Sequence, residues 1–363
     1  MPTGTPTTAP ALRPPPRGVG KLLLKAFLLT LPFSAVVGSY LVLDPFQVLY
    51  RYDAFATQVI PNRDYVSTQL FVSNYPRHPY QSFILGNSRT LAFTVRDWVH
   101  YTHDPLSFHY DALAESLFGV LKKLQFLDNR GVGLKNVLII CDPQLLAQTR
   151  DVDAHLFRKD PRLTGELPFR FQLSFFRAYL ARFFFFHYWK LKVTGRVTPG
   201  MEDLFNTRGG SIAPVTNDML LPEVERQIAT DSVGFYAHNP ALPPRPAHPL
   251  VSKGVIGPEA KRQLLAIRAI LLRHHANYHF VISPLYSQEA LNPVDLTYLV
   301  QTFGRQRIHN FSGVNELTKY PGHYYEASHY RPLVGRKIMR LIYARDSADI
   351  GPRHGVTKLP HSY

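Results

Sequence analysis

Three short apolar runs, each closed by a turn, constrain this chain more than anything else in it. They are Phe83 to Leu85, Asn136 to Cys141 and Phe280 to Ile282, and Ile308 to Phe311 reads as a further short strand. Runs this short and this apolar read as strands buried on both faces. Helical patterns stand between them. Leu113, Leu117, Val120, Leu121 and Leu124 recur at helical spacing within Phe108 to Leu127, and Leu264, Leu265, Ile267, Ile270, Leu271 and Leu272 make an apolar helical face within Glu259 to His275. Val294 to Phe303 and Val334 to Tyr343 predict further helices, and Leu91 to Trp98 can begin another. Strand and helix in alternation predict an α/β domain built on a parallel sheet. The rhythm breaks between about 149 and 257, which reads as a helical and irregular insertion that shapes a site or docks a partner.

The first run ends on Gly86-Asn87-Ser88-Arg89. Glycine permits a tight turn, and the turn exposes a serine hydroxyl at the carboxyl end of a strand, where open α/β sheets hold their ligands. A serine there can equally be a helix cap. Near the other end of the chain stand Glu326 and His329, an acid three residues before a histidine. A serine hydroxyl becomes a nucleophile when an imidazole takes its proton, and the imidazole needs a carboxylate to fix its tautomer. Ser88, His329 and Glu326 therefore form a candidate catalytic set, with Gly86, Asn87 and Arg89 supporting the turn.

The N-terminal segment has its own logic. Residues 1–20 are rich in Pro, Thr and Ala and cannot build a core. An uncharged run follows from Ala26 to Leu43, at the short end of what spans a bilayer. Arg13, Arg17, Lys21 and Lys25 precede it with no acidic residue among them, which predicts a cytoplasmic amino terminus and a domain outside the cytoplasm. A cleaved signal peptide and a buried soluble helix are the rival readings, and the anchor is the favoured one. The expected divisions are a disordered cytoplasmic tail (1–25), a transmembrane anchor (26–43), a connector (44–80), the α/β domain (81–345) and a polar tail (346–363).

The formal net charge of +15 admits nucleic acid, an anionic lipid surface or an anionic polymer as partner. The cations are spread along the chain without a helix-turn-helix, zinc-finger or RNP pattern, so nucleic acid is the weakest of these. From Arg170 to Lys192 the chain is dense in phenylalanine, with Phe183 to Phe186 in succession and Arg177, Arg182, Lys190 and Lys192 interleaved. This reads either as a helix in a membrane interface or as a core helix with snorkelling ends. The single cysteine, Cys141, cannot form an internal disulfide and reads as a buried small hydrophobe. His323, Glu326 and His329 look like metal ligands, but on a helix the two histidines would point about 240° apart. No metal or cofactor is expected.

The two blocks together resemble the SGNH (GDSL-like) hydrolase superfamily, in particular its single-pass extracytoplasmic bacterial members. Gly86-Asn87-Ser88-Arg89 is similar to the family's first block, usually Gly-Asp-Ser. Glu326-Ala327-Ser328-His329 is similar to its last, usually Asp-x-x-His, and Phe280 to Pro284 resembles a penultimate core strand. The resemblance covers about 81–141 and 259–343. It implies a three-layer α/β/α fold with a flavodoxin-like parallel sheet. It also implies Ser-His-acid chemistry on O-esters, as an esterase or O-acyltransferase at the bacterial inner membrane with its main domain periplasmic. The implied partners are an acylated glycan or lipid and the membrane, and the family admits a membrane-bound acyl-donor protein. Three departures stand out. Glu326 replaces an aspartate, no glycine occurs near Asp111 to Ser116 where the second block sits, and Asp142-Pro143-Gln144 stands where the third block offers an asparagine amide. The oxyanion donors that remain are the backbone N–H groups of Ser88 and of Ser116 or a neighbour. Each such donor is worth about 3–4 kcal/mol of barrier. A catalytically weak or inactive envelope protein of the same fold, binding a glycan or a membrane partner, is the alternative.

Overall fold

In the computed structural model the uncharged run lies within one helix, α1 (Val19–Leu43), which begins before Ala26 and takes in Lys21 and Lys25. Its 25 residues extend about 37 Å at 1.5 Å per residue. The helix is long and apolar enough to cross a membrane, as a single-pass anchor or a signal sequence is. The structure describes residues 19–55, 58–197, 200–201, 204–205, 210–237 and 239–348. Of the disordered tail expected at 1–25, residues 19–25 are helical in α1 and 1–18 lie outside the described residues, as does the last part of the polar tail, 349–363. The chain divides after Pro45, and all that follows concerns the second unit.

That unit is built on five parallel strands: β1 (Ser82–Gly86), β2 (Ser107–Asp111), β3 (Asn136–Cys141), β4 (Asn277–Ile282) and β5 (Ile308–Asn310), in the order β2-β1-β3-β4-β5. Helices α2 (Arg63–Asn74), α3 (Val95–Thr102) and α4 (Leu117–Asn129) accompany the first strands. The insertion carries α5 (Pro168–Leu180) and α6 (Arg182–Thr194). Helices α7 (Pro258–Arg273), α8 (Pro293–Phe303) and α9 (Pro332–Ala348) accompany the last strands. Successive strand residues point to opposite faces, and both faces are covered. Phe83, Leu85, Val137, Ile139, Phe280 and Ile282 join one apolar cluster with residues of α2, α4, α7 and α8. Ile84, Leu138, Ile140 and Val281 join another with Trp98 of α3 and Val334, Ile338 and Ile342 of α9.

Several expectations need correction. The helix expected over Phe108 to Leu127 is a strand, a loop and then α4, which starts at Leu117 behind the Ser116 cap. In β2, Ser107, His109 and Asp111 alternate with Phe108 and Tyr110, and all five are buried. The expected connector contains α2, which buries Arg63, Asp64, Ser67, Thr68 and Gln69 beside Leu70 and Phe71. The region from Leu91 to Trp98 is a 3-10 turn over Ser88–Ala92 followed by α3. The phenylalanine-rich stretch is two helices broken at Ala181. The last helix runs on to Ala348, past the expected end of the domain.

The insertion is pinned to the core by polar contacts. Asn62 Nδ2 donates to the carbonyls of His155 (2.6 Å) and Arg158 (2.9 Å), and the Asp160 N–H donates to Asp64 Oδ1 (2.9 Å). Beneath lies a buried quartet of charges. Lys123 Nζ is 2.6 Å from Glu115 and 3.1 Å from Asp64, while Lys159 pairs with Glu115 and lies 3.4 Å from Asp64.

A second buried polar pair makes the fold sensitive to acid. His279 of β4, 1% exposed, meets His309 of β5 at 2.8 Å. Burial, then the His309 and Arg307 charges, push its pKa down to about 3. An unfolded chain takes up this proton near pH 6.5 and the folded one does not, so stability falls as pH drops through that window, by about 1.4 kcal/mol per pH unit. The expected outcome is a loss of about 2 kcal/mol between pH 7 and pH 5 from this residue, reduced in His279→Gln. Equal acid sensitivity of parent and variant in denaturant titrations would refute it.

Candidate active site

The strand order reverses at β1, whose neighbours β2 and β3 follow it in sequence on opposite sides. A crevice forms at the carboxyl ends of β1 and β3, the usual ligand position in open α/β sheets. Gly86 closes β1 at φ +144°, and a Cβ there would sit 2.3 Å from the Ile140 carbonyl oxygen of β3. Only glycine tolerates both the dihedral and the approach. The next residues are clamped. Asn87 Oδ1 accepts from the Arg89 N–H at 3.1 Å, its Nδ2 donates to Asp142, and Arg89 Nη1 lies 2.7 Å from the same Asp142 oxygen. The other Asp142 oxygen accepts from the Leu145 N–H at 3.0 Å. Asn87 and Arg89 thus bind the end of β3 and hold Ser88 between them, half-buried, on the wall of a cavity of about 520 Å³.

His329 lies on the same cavity wall. It comes from a two-stranded hairpin, Tyr324–Glu326 with His329–Tyr330, in which Glu326 and His329 are paired. The Glu326 carboxylate accepts from the Ser328 N–H at 2.6 Å through one oxygen and meets His329 Nδ1 through the other. His329 Nε2 is buried and has no hydrogen-bond partner among the described residues. A carboxylate on Nδ1 favours the tautomer that leaves Nε2 as an acceptor. The Ser88 hydroxyl makes no hydrogen bond to it, although both line the same cavity; such hydrogen bonds often close only when substrate is bound. The hairpin runs directly into α9, whose Gly335 lies against the serine turn. A Cβ on Gly335 would come within 1.8 Å of the Ala92 carbonyl oxygen. One rigid piece therefore carries His329 and abuts the turn that carries Ser88.

The donors differ from those expected. Ser116 is buried, its N–H donates to Glu115 Oε1 at 2.8 Å, and its hydroxyl caps α4 at the Gly119 N–H (2.9 Å). It does not line the cavity. Ala114 does, at φ +44°, the left-handed conformation that a glycine would take without strain. Among the described residues neither its N–H nor that of Ser88 makes a hydrogen bond within the chain. Asp142 is occupied by the clamp, and as an ionised acceptor it donates nothing. Gln144, exposed on the cavity wall, brings a free side-chain amide.

Other lining residues were not legible in the sequence. Arg63, 1% exposed, holds Asp111 through Nε (3.1 Å) and Nη2 (2.9 Å), and its Nη1 has no partner among the described residues. Burial alone would raise Asp111, but Arg63, with His109 and Lys123, outweighs it and holds the carboxyl below its usual range. The insertion supplies apolar walls through Phe157, Phe205, Ile212, Met219 and Leu221. His323 stands apart from His329: its Nδ1 meets the Leu317 carbonyl (2.8 Å) and its Nε2 meets Lys337 (3.1 Å). Among the described residues no group of three His, Cys, Asp or Glu side chains is placed to hold a metal ion. No protein-family model matches the chain, and a search of curated proteins finds no match.

Proposed function

We propose that the chain is a membrane-anchored serine esterase or O-acyltransferase of the SGNH type. Its substrate would be an acyl ester on cell-envelope carbohydrate or lipid, met on the periplasmic side. One observation carries this reading: Ser88 and His329 border a single cavity, with Glu326 on His329 Nδ1 and Nε2 unpartnered. The strand order and the helices on both sheet faces support a three-layer, flavodoxin-like assignment. In the reaction, His329 Nε2 takes the Ser88 proton as Oγ adds to the ester carbonyl carbon. The oxyanion collects on donors bordering the cavity, for which the Ser88 and Ala114 N–H groups and the Gln144 amide are the candidates. The imidazolium returns its proton to the leaving alcohol, giving an acyl-serine. Water or an acceptor hydroxyl, deprotonated by the same imidazole, then adds to the acyl carbon, and the imidazolium returns that proton to Ser88 Oγ as its bond to the acyl group breaks. Hydrolysis and transfer differ only in that last nucleophile.

Fluorophosphonate labelling of the detergent-solubilised full chain tests the reading, and a carboxyl-terminal phosphatase reporter tests the orientation. A folded chain that takes no label would favour the second reading, a binding protein of the same fold. The occupied Asp142 carboxylate, standing where the family offers an amide, is the observation on that side. A further expectation follows from the α9 contact. Gly335→Ala should cost about 1–3 kcal/mol through overpacking and slow labelling roughly 10- to 100-fold by displacing the turn. Gly254→Ala, with nothing within 4 Å of the added carbon, should leave labelling unchanged. Parallel behaviour of the two variants would remove the coupling between α9 and the serine turn.

A further inference from the structure

Helices α5 and α6 each bury one aromatic face. On α5 it is Phe171, Phe175 and Tyr179; on α6 it is Phe184, Tyr188 and Leu191. The Phe46 ring packs against both, 5.4 Å from Phe175 and 4.7 Å from Phe184. The opposite faces carry large apolar side chains that no described residue covers. Phe183, Phe186 and Val193 are 53%, 62% and 82% exposed, and Phe169 and Leu180 are 72% and 44% exposed. At 100° per residue, Phe183, Phe186, Val193 and the exposed Lys190 share an arc of about 80° on α6, and Phe169, Leu180, Arg170 and Arg177 share one of about 100° on α5. Apolar rings and cations thus occupy the same outward face.

Charge narrows what can cover it. From Leu167 to Met201 the chain has six Lys and Arg and no acidic residue. Beside α5 is a cavity of about 540 Å³ lined by Arg170, Ser174 and Arg177 together with Asp153, His155 and Arg158. Arg158 is engaged by Asp153 and Glu166. The guanidinium groups of Arg170 and Arg177 make no hydrogen bond or ion pair with any described residue. Two unpaired guanidiniums over one polar cavity suit a phosphodiester, and exposed phenylalanines beside them suit the acyl boundary. A protein partner would need one matching acidic face, whereas an anionic bilayer presents that charge everywhere.

We propose that the α5–α6 hairpin is a membrane-docking element. It lies in the interface of an anionic bilayer, with Phe169, Phe183 and Phe186 at the acyl boundary and Arg170 and Arg177 holding a lipid phosphate. This contact is separate from α1 and does not depend on the catalytic reading.

The chain supplies its own reporter. Its two tryptophans are Trp98, fully buried in the core, and Trp189, partly exposed on α6. The full chain is reconstituted into vesicles of phosphatidylcholine brominated in the acyl chains, with or without phosphatidylglycerol, and only the co-floating fraction is read. Trp189 emission is expected to be roughly halved in the anionic vesicles, and less affected without phosphatidylglycerol or at high salt. Trp189→Phe must lose the quenching. Phe183→Glu with Phe186→Glu should abolish it, and Arg170→Gln with Arg177→Gln should reduce it to the level seen without phosphatidylglycerol. Equal emission in brominated and plain vesicles, or quenching that survives the glutamate pair, would overturn the proposal.

Discussion

Ser88→Ala should fold like the parent and take no fluorophosphonate label, with ester turnover reduced at least 10³-fold. The fold is expected to survive because the Ser88 side chain makes no hydrogen bond with any described residue. The turn is held by Asn87, Arg89 and Gly86 instead. Glu326→Gln should also cost about 10³–10⁴-fold, because a neutral amide does not fix the tautomer or stabilise the imidazolium. Thermal unfolding of each variant separates lost chemistry from lost structure. The idea fails if Ser88→Ala labels as the parent does. It fails too if Glu326→Gln turns over normally while remaining folded, since no other described residue is placed on His329 Nδ1.

The largest stability effect should come from Lys123, which is fully buried and donates to the Asp111 carbonyl (2.8 Å) and to Glu115 (2.6 Å) beside Asp64. Burial would raise the Asp64 carboxyl, yet Lys123 and Lys159 outweigh it and hold it below the usual range. Burial would likewise lower Lys159, yet Glu115 and Asp64 outweigh it and hold it above its usual value. Two lysines thus face two carboxylates, and their formal charges balance. Lys123→Met leaves one buried negative charge without a counterpart, which costs about 3–5 kcal/mol and lowers the melting temperature by on the order of 10 °C. Adding Glu115→Met restores neutrality, because Asp64 and Lys159 remain as a pair. The double variant should melt above the single one. The reverse order would show that the contacts matter through packing alone.

How much could be read in advance follows from where each residue finds its partners. β1, β3 and β4 were legible because their burial is continuous and apolar. β2 and α2 were not, because their buried polar groups are satisfied by distant residues. His109 meets Asp218, Ser67 meets Asp111, and Arg63 meets Asp111 and Asn217. No local pattern announces such pairs. At the candidate site, Glu326 and His329 are three residues apart and could be paired by spacing, and Ser88 by its position after a strand. Ala114 gave no such sign, since its place depends on a left-handed backbone that nothing in its neighbours demands. Ser116 was the reasonable guess at that position, but capping α4 uses its hydroxyl and Glu115 uses its N–H.

The buried quartet also bears on how a ligand reaches the cavity. Lys159 belongs to the same stretch as Phe157, which lines it. Swinging that stretch outward would strand Glu115 and Asp64 beside one lysine instead of two. At about 4 kcal/mol such an opening occupies roughly one molecule in a thousand at any moment. This side of the cavity is a fixed wall, and passage in and out belongs to the other sides.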